Sequence, residues 1–297
     1  MRVFMKNFYV FLLLIFAFSL RGEIKLNGEF DWQNENVKSL GNKILYYSME
    51  LNEPRIIKLS VVRIDLRNPK LRFKITGKSE KWGEPMEELP QFTINTERKR
   101  SRTFMEEAFK NGENMVVAVN GSPWTPWQKP WNHRYAQVSG LLVADGELVA
   151  YPSKNHPSFI IRKDGTCDFI IADKNSDLSA IQYAISGFGF VLHNNKFTVA
   201  DNIKQLAPRT GYGLSENREY LYLLAIDGRQ EGYSMGSSVY EVGELLKYFG
   251  ASDALNMDGG GSTTLLIREN GKIKKLNHHK NDAERTVAAT LGIIIAE

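Results

Sequence analysis

The sequence contains a single cysteine, Cys167, among its 297 residues. One cysteine excludes an intramolecular disulfide, and it excludes a metal site built from cysteines and histidines. We expect the adjacent histidines His278 and His279 to be loop residues. The fold must therefore be stabilised by a hydrophobic core, and a chain of this length with 42% apolar residues is sufficient for one.

A strong excess of charge of one sign is also missing. The formal net charge is +4, and it falls to about +2 if Arg2 and Lys6 are removed with an N-terminal signal. So small an excess does not predict binding to nucleic acid or to an anionic membrane surface. We expect the local basic cluster of Arg98, Lys99, Arg100 and Arg102 to be the solvated face of a helix.

A hydrophobic run long enough to cross a membrane is missing as well, because a span needs about 20 apolar residues. The longest run extends only from Phe8 to Leu20 and follows Arg2 and Lys6. This arrangement is typical of a secretory signal peptide. We predict a signal peptide at residues 1–19 and a secreted or periplasmic protein with no stable membrane insertion after cleavage. An uncleaved anchor is the alternative, whereas a lipidated N-terminal cysteine is excluded.

Turn dipeptides separate several apolar runs, and they predict hairpins. The four pairs are Asp145-Gly146, Asp164-Gly165, Asn194-Asn195 and Asn270-Gly271. Such residues tolerate the positive φ angles of tight hairpin turns. The predicted class is α+β (mixed α/β), with largely antiparallel and mixed β-sheets, a few flanking helices and catalytic loops at one sheet edge. We divide the mature chain into an N-terminal lead-in and β-rich region, residues 20–111, and a second region, residues 112–297.

Two helices are predicted. Apolar residues recur at helical spacing from about Thr96 to Lys110, and Asn111-Gly112 ends this segment. The second helix begins with the capping-box pattern Ser238-Val239-Tyr240-Glu241 and ends at Gly250.

The second helix lies between two predicted strands that both end at an Asp-Gly pair. The first strand, residues 220–226, precedes Asp227, and the second, residues 254–257, precedes Asp258. If the strands are parallel neighbours, both aspartates lie at one edge of the sheet. Open α/β sheets place their binding sites at such an edge.

The strongest local signal is the glycine loop Asp258-Gly259-Gly260-Gly261-Ser262, followed by Thr263 and Thr264. Consecutive glycines expose backbone N–H groups that converge on an anion. A Gly-Lys-Ser/Thr ending is missing, which argues against a Walker phosphate loop. The spacing Gly-x-Gly-x-x-Gly is missing too, which argues against a dinucleotide site. On this segment alone, a structural bend between strands is the alternative to an anion site.

Other candidates follow or flank predicted strands. Asn120-Gly121 ends an apolar strand, and Arg209 and Arg285 have the planar guanidinium that suits a phosphate oxygen pair. Trp124, Trp127 and Trp131 form either a sugar-stacking platform or ordinary loop packing.

These motifs together resemble the phosphodiester glycosidase family. The segment 254–264 is similar to the family signature, and four further segments occur in the family's order. They are Val119-Asn120-Gly121, Ala207-Pro208-Arg209-Thr210-Gly211, Asp227-Gly228-Arg229 and Glu284-Arg285-Thr286-Val287. The resemblance covers roughly residues 112–296. Ser122-Pro123-Trp124 departs from the family pattern of a second glycine and two aromatics, which leaves the sugar open.

The resemblance implies an exported glycoside hydrolase that cleaves a sugar-1-phosphodiester to free sugar and a phosphomonoester, without a cofactor. Asp258, Asp227 and Arg209 are the implied catalytic residues, with either aspartate as nucleophile or general base. The implied binding residues for a phosphorylated carbohydrate are Asn120, Gly121, Asn256, Gly259, Gly260, Gly261, Ser262, Thr263 and Arg285.

Two alternatives stay open at this point. One is a non-catalytic exported glycan-binding or exopolysaccharide-associated protein. The other places a divalent cation between Asp227 and Asp258, because carboxylates suit hard cations.

Overall fold

The computed structural model of the chain describes residues 24–127, 133–200 and 205–296. The predicted signal peptide and Trp131 lie outside these ranges. None of the helices within them is long and apolar enough to span a membrane.

The described ranges contain 21 β-strands, two α-helices and two 3-10 turns. The α-helices are α1 (Ser101–Lys110) and α2 (Val239–Tyr248), and the 3-10 turns are Gly260–Ser262 and Lys280–Asp282. The strands are β1 (Lys38–Gly41), β2 (Ile44–Leu51), β3 (Ile57–Asp65), β4 (Leu71–Ile75), β5 (Thr96–Glu97), β6 (Met115–Asn120), β7 (Trp124–Thr125), β8 (Tyr135–Val138), β9 (Leu142–Ala144), β10 (Glu147–Ala150), β11 (Ser158–Arg162), β12 (Cys167–Ile170), β13 (Ile181–Ser186), β14 (Gly189–His193), β15 (Lys196–Phe197), β16 (Arg209–Leu214), β17 (Tyr220–Ile226), β18 (Asp253–Asn256), β19 (Leu265–Glu269), β20 (Lys272–Lys275) and β21 (Thr290–Ile295).

These strands form four sheets, and the pairings within them are antiparallel. The largest sheet has eight strands in the order β1-β2-β3-β17-β16-β18-β14-β15. Two five-stranded sheets have the orders β10-β9-β13-β11-β12 and β20-β19-β6-β21-β4, and a small sheet has the order β5-β8-β7. The protein is therefore predominantly β. The predicted antiparallel sheets are confirmed, but helices contribute less than an α+β class suggests.

The four predicted hairpins are confirmed. They connect β9 to β10, β11 to β12, β14 to β15 and β19 to β20. Residues at each turn have the positive φ that the dipeptides were expected to supply, for example 52° at Asp145 and 51° at Asn270. Short-range turn chemistry thus specifies these four strand pairings.

The main core lies between the inner faces of the sheets. Tyr212 and Leu255 from the eight-stranded sheet join Val119, Phe159 and Leu291 from the two five-stranded sheets in one buried cluster. Helix α2 covers the opposite face of the eight-stranded sheet, and the lead-in residues Phe30 and Trp32 pack there too. The N-terminal region is part of the same sheets, because β3 pairs with β17 and β4 pairs with β21.

The first predicted helix begins later than expected. Thr96 and Glu97 pair with β8 as an extended strand, and α1 starts only at Ser101. The basic residues before it are therefore not all on a helix face. The second helix is confirmed, because the side chain of Ser238 accepts from the backbone N–H of Glu241 and the Glu241 carboxylate accepts from the N–H of Ser238.

Candidate active site

One edge of the eight-stranded sheet brings the predicted acidic residues and an arginine together. Strands β17 and β18 run in the same direction, but β16 lies antiparallel between them. The expectation that the two strands are direct neighbours is therefore wrong, whereas their common direction is as expected. The edge contains Asp227 after β17, Arg209 at the start of β16 and Asp258 just after β18. At this edge, Gly211 of β16 pairs with Asn256 of β18.

Asp258 is buried at this edge, and one of its carboxylate oxygens has no partner. Oδ1 accepts from the N–H of Gly259 at 2.9 Å, whereas Oδ2 makes no hydrogen bond to any described residue. Burial raises the pKa of Asp258 to about 6, and nearby Ser262, Arg285 and Trp124 oppose the rise. Neither the Ser262 hydroxyl nor the Trp124 indole makes a hydrogen bond of normal geometry to it. A desolvated carboxylate with a free oxygen suits nucleophilic or general-base chemistry.

Asn120 fixes the backbone on both sides of the glycine loop. Its side-chain N–H donates to the carbonyl of Asp258 at 2.6 Å, and its Oδ1 accepts from the N–H of Thr264 at 2.9 Å and from the hydroxyl of Thr210 at 2.8 Å. The next carbonyl, of Gly121, accepts from the N–H of Asp258. Asn120 thus lies at the predicted site, and these bonds orient Asp258 rather than leave the amide free.

The three glycines of the loop leave room for close approach by arginine side chains and by the backbone of Pro208. A Cβ on Gly261 would lie 2.7 Å from Nη2 of Arg285, and one on Gly260 would lie 3.3 Å from Nη1 of Arg229. A Cβ on Gly259 would meet the carbonyl of Pro208 at 2.9 Å and the side chain of Arg209 at 3.8 Å. The three glycines therefore bring backbone amides and three guanidinium groups into one small region.

The three guanidinium groups beside the loop make no salt bridge with a described carboxylate. Arg209 donates to backbone carbonyls of Ser237 and Gln205. Burial lowers the pKa of Arg209, and the nearby charge of Arg229 lowers it further. Neighbouring like charges repel, and an anion bound beside them would reduce that repulsion.

Arg98 adds a fourth cation, contrary to the expectation of a solvated helix face. It is buried before α1, and its guanidinium lies 4.2 Å from the ring centre of Trp124. Nη1 donates to the carbonyl of His133, and Nη2 donates to the hydroxyl of Thr286. Burial and the charge of Arg285 lower the pKa of Arg98 to about 10, so it stays charged at neutral pH.

Asp227 is a second buried carboxylate, but both of its oxygens are engaged. Oδ1 accepts from the backbone N–H of His278 at 2.7 Å, and Oδ2 accepts from the hydroxyl of Tyr233 at 3.3 Å. Burial raises the pKa of Asp227 to about 6 despite these bonds. The two aspartates therefore differ in whether both carboxylate oxygens are hydrogen-bonded rather than in their pKa.

Unpaired buried polar atoms are concentrated in and beside the loop. Six of them belong to the segment 256–264 or to the tryptophan next to it: Asn256 Oδ1, Asp258 Oδ2, Ser262 Oγ, Thr263 Oγ1, Thr264 Oγ1 and Trp124 Nε1. Buried polar atoms are normally hydrogen-bonded, so a cluster without protein partners indicates a site for ligand or water.

Aromatic residues flank the same region. Trp124 and Trp127 stack with ring centres 4.7 Å apart, and Trp127 is 39% exposed with the guanidinium of Arg285 5.7 Å from its ring centre. Phe188 is 48% exposed, and its backbone N–H donates to the carbonyl of Asn256. Exposed rings beside an anion site can pack against the apolar face of a sugar.

Several residues at this edge had no distinguishing signal in the sequence. Arg98 and Phe188 come from distant loops, whereas Tyr233 lies in the loop that follows Asp227. His278 is a loop residue as expected, but its backbone N–H holds Asp227. Arg229 alone could have been found, because it belongs to the Asp-Gly-Arg motif.

No group of three or more histidine, cysteine, aspartate or glutamate side chains within residues 24–127, 133–200 and 205–296 is arranged to hold a metal ion. The cations that surround Asp258 are arginines of the chain itself.

A buried carboxylate beside a glycine loop and convergent arginines is an arrangement that suits an anionic ligand. The phosphodiester glycosidase family model matches residues 113–294, and the chain belongs to this family. No curated protein sequence matches the chain significantly.

Solved structures share the fold at low sequence identity. A protein from Synechocystis aligns with a TM-score of 0.64 and 12% identity over 88% of this chain, which spans 64% of that protein. The catalytic domain of zebrafish N-acetylglucosamine-1-phosphodiester alpha-N-acetylglucosaminidase aligns with a TM-score of 0.61 and 17% identity over 92% of this chain and 87% of that one. A protein from Burkholderia pseudomallei aligns with a TM-score of 0.53 and 13% identity, over 80% of this chain and 74% of that one.

The burial of Asp258 predicts a pH-dependent gain in stability for Asp258→Asn. The folded-state pKa of Asp258, about 6, exceeds the ordinary value of 3.8, so the folded protein holds this proton more tightly than the unfolded chain does. The protonated carboxyl therefore stabilises the fold fully below pH 3.8, and this stabilisation is lost as the pH rises through 6. Asparagine does not ionise. We expect the free energy of unfolding of the variant, relative to wild type, to rise by about 2 kcal/mol between pH 4 and pH 8.

Urea unfolding at both pH values measures this difference. Asp227 titrates in the same range but is present in both proteins, so its contribution cancels in the comparison. An unchanged difference between the two proteins across this range would show that Asp258 is not a desolvated carboxylate.

Proposed function

We propose that the protein is an exported hydrolase that cleaves the glycosidic C–O bond of a sugar-1-phosphodiester, producing free sugar and a phosphomonoester. The observation that carries the proposal is the free Oδ2 of buried Asp258 beside a loop approached by Arg209, Arg229 and Arg285. Membership of the phosphodiester glycosidase family supports the reaction class. Export rests on the sequence of the first 19 residues.

The arginines suit the charge that develops on the leaving group. A phosphodiester carries one negative charge, and breaking the bond between the anomeric carbon and oxygen adds a second charge to the departing phosphate. Preformed cations and backbone N–H groups stabilise that charge without reorganisation during the reaction. Protonation of the leaving oxygen is then less important than in ordinary glycoside hydrolysis, where a carboxylic acid must provide it.

Asp258 supplies the carboxylate at the anomeric carbon. Its Oδ2 either attacks that carbon to form a glycosyl-enzyme, which water then hydrolyses, or accepts the proton of a water that attacks directly. Both routes transfer the bonding electron pair to the phosphate oxygen. Retention or inversion at the anomeric carbon, observed by proton NMR of the first product, distinguishes them. Asp227 is the second catalytic carboxylate, held by Tyr233 and His278.

Hydrolysis in ¹⁸O-labelled water tests which bond breaks. We expect one labelled oxygen in the released sugar and none in the phosphomonoester, because water adds to carbon. Mass spectrometry of both products after incubation with a panel of sugar-1-phosphodiesters, including nucleotide sugars, measures the label. Release of sugar-1-phosphate, or label in the phosphate, would show P–O cleavage and would contradict the proposal. Sugar binding without any product would favour the non-catalytic alternative.

A further inference from the structure

A cavity of about 560 Å³ lies behind the small sheet, outside the edge that contains Asp258. Val138 of β8 lines it and pairs directly with Trp124 of β7, and the N–H of Ser139 donates to the carbonyl of Pro123. The β7–β8 pair therefore connects this cavity to Trp124, which lies beside Asp258. We call this space the β8 cavity.

The lining of the β8 cavity carries no aspartate, glutamate, lysine or arginine. Two other large cavities of the described chain each have several such residues in their walls. The one basic side chain in the lining of the β8 cavity is His156, and burial lowers its pKa below the ordinary value. The lining side chains are therefore uncharged at neutral pH, and the nearby Lys78 ammonium lies 4.5 Å from the ring centre of Trp82. A charged ligand would find no opposite charge in the lining itself to replace the solvation that it loses.

Two amide side chains line the cavity, and the NH2 group of each is free to donate a hydrogen bond to a ligand. Oε1 of Gln137 accepts from the N–H of Thr93 at 2.7 Å, and Oδ1 of Asn95 accepts from the N–H of Val138 at 2.8 Å. Because a backbone N–H must face an acceptor, these two bonds identify which end of each amide is the oxygen and hold that oxygen against the backbone. Their NH2 groups make no hydrogen bond to a described residue. These groups can donate to uncharged oxygen acceptors such as hydroxyls.

Aromatic rings complete the lining. Tyr151 is 69% exposed, and its ring and hydroxyl have no partner among the described residues. Trp82 is 36% exposed, and its indole N–H is already used, donating to the carbonyl of Val149 at 2.7 Å. An aromatic face beside a few oriented polar groups is typical of a small-ligand site. A pyranose has this pattern, with apolar C–H faces and a rim of hydroxyls.

We propose that the β8 cavity is a binding site for neutral sugar residues, separate from the anion-binding edge at Asp258. Tyr151 provides the stacking face, and the amides of Gln137 and Asn95 donate to ring hydroxyls. The inference does not depend on the proposed reaction, because binding of a neutral glycan requires neither aspartate of the edge.

Titration calorimetry of the purified protein tests the site. The probes are neutral tetrasaccharides of glucose, mannose and N-acetylglucosamine, with tetragalacturonate as the acidic comparison. We expect binding of at least one neutral tetrasaccharide and weaker or no binding of the acidic one. Tyr151→Ala should raise the Kd about tenfold, since an exposed ring contributes stacking but little to folding. Gln137→Glu keeps the acceptor for Thr93 and removes the donor, and it should also weaken binding.

Two control variants identify the cause of any change. Phe109→Ala removes an exposed aromatic residue of α1, outside the cavity, and should leave the Kd unchanged. Asp258→Asn should also leave it unchanged while hydrolysis is lost. If no neutral tetrasaccharide binds, or if Tyr151→Ala binds as tightly as wild type, the inference is wrong. Hydrolysis of small sugar-1-phosphodiesters in that case would leave the proposed function intact.

Discussion

Replacing Asp258 with asparagine is expected to lower kcat/KM for a sugar-1-phosphodiester by about 10³-fold or more. The substitution keeps the shape of the side chain but removes the charge of Oδ2, the carboxylate oxygen that no described residue engages. A nucleophile or general base cannot act without that charge, and losses of this size are usual for such groups. Because the backbone bonds of Asp258 to Asn120 and Gly121 are independent of its side chain, the loop should keep its position.

The control for this experiment is Asp253→Asn at the other end of β18. Asp253 is also buried, but it pairs with Arg218 at 2.7 Å and with His193, away from the site edge. We expect its variant to lose stability, because the substitution removes the charge of a buried carboxylate that pairs with two partly exposed basic side chains, and to keep kcat/KM within about tenfold of wild type wherever it remains folded. Wild-type turnover by a folded Asp258→Asn protein would remove Asp258 from the mechanism.

Arg285→Met is expected to reduce kcat/KM for a phosphodiester substrate by about 10²-fold, the usual cost of losing one group that stabilises transition-state charge. Arg285 lies against Gly261 and beside Trp127, where the leaving phosphate is expected. Methionine fills similar space without a charge. The reduction should be several-fold smaller for a nitrophenyl glycoside of the same sugar, because that substrate has no phosphate for the arginine to bind.

The matched control is Arg268→Met. Arg268 is on β19, and its guanidinium lies 3.9 Å from the ring centre of Phe109, away from the glycine loop. We expect it to hydrolyse both substrates at wild-type rates. Equal losses for the phosphodiester and the nitrophenyl glycoside in Arg285→Met would indicate that this arginine maintains the structure of the site and does not recognise phosphate.

Local features of the fold could be predicted because their causes lie within a few residues. Asp145-Gly146 forms a hairpin because both residues accept positive φ, and Ser238 begins α2 because its side chain reaches the N–H three residues later. The predicted helix start at Thr96 was wrong because the conformation of this segment is decided by a contact far away in the chain. Thr96 and Glu97 pair with β8 from a distant segment, and this pairing overrides their helical pattern.

The site could be predicted in part. The motifs containing Asp227, Arg209 and Asp258 identified the residues, and the structure places them at one edge. The sequence did not predict that β16 lies in the sheet between the strands that precede Asp227 and Asp258, because sheet order depends on which surfaces pack together. The buried position of Arg98 and the free oxygen of Asp258 follow from the same nonlocal packing. The functional roles of these residues stay predictions.

By itself, the sequence determined the hairpin turns, the capped second helix and the family, because each depends on short motifs or on their order along the chain. Only the tertiary structure decided that Arg229 and Arg285 lie against consecutive glycines, and that Asp258 is desolvated while Asp227 is held by Tyr233 and His278. The reason is physical. Burial and charge proximity depend on segments that are far apart in the chain and meet only when the sheets close around their shared core.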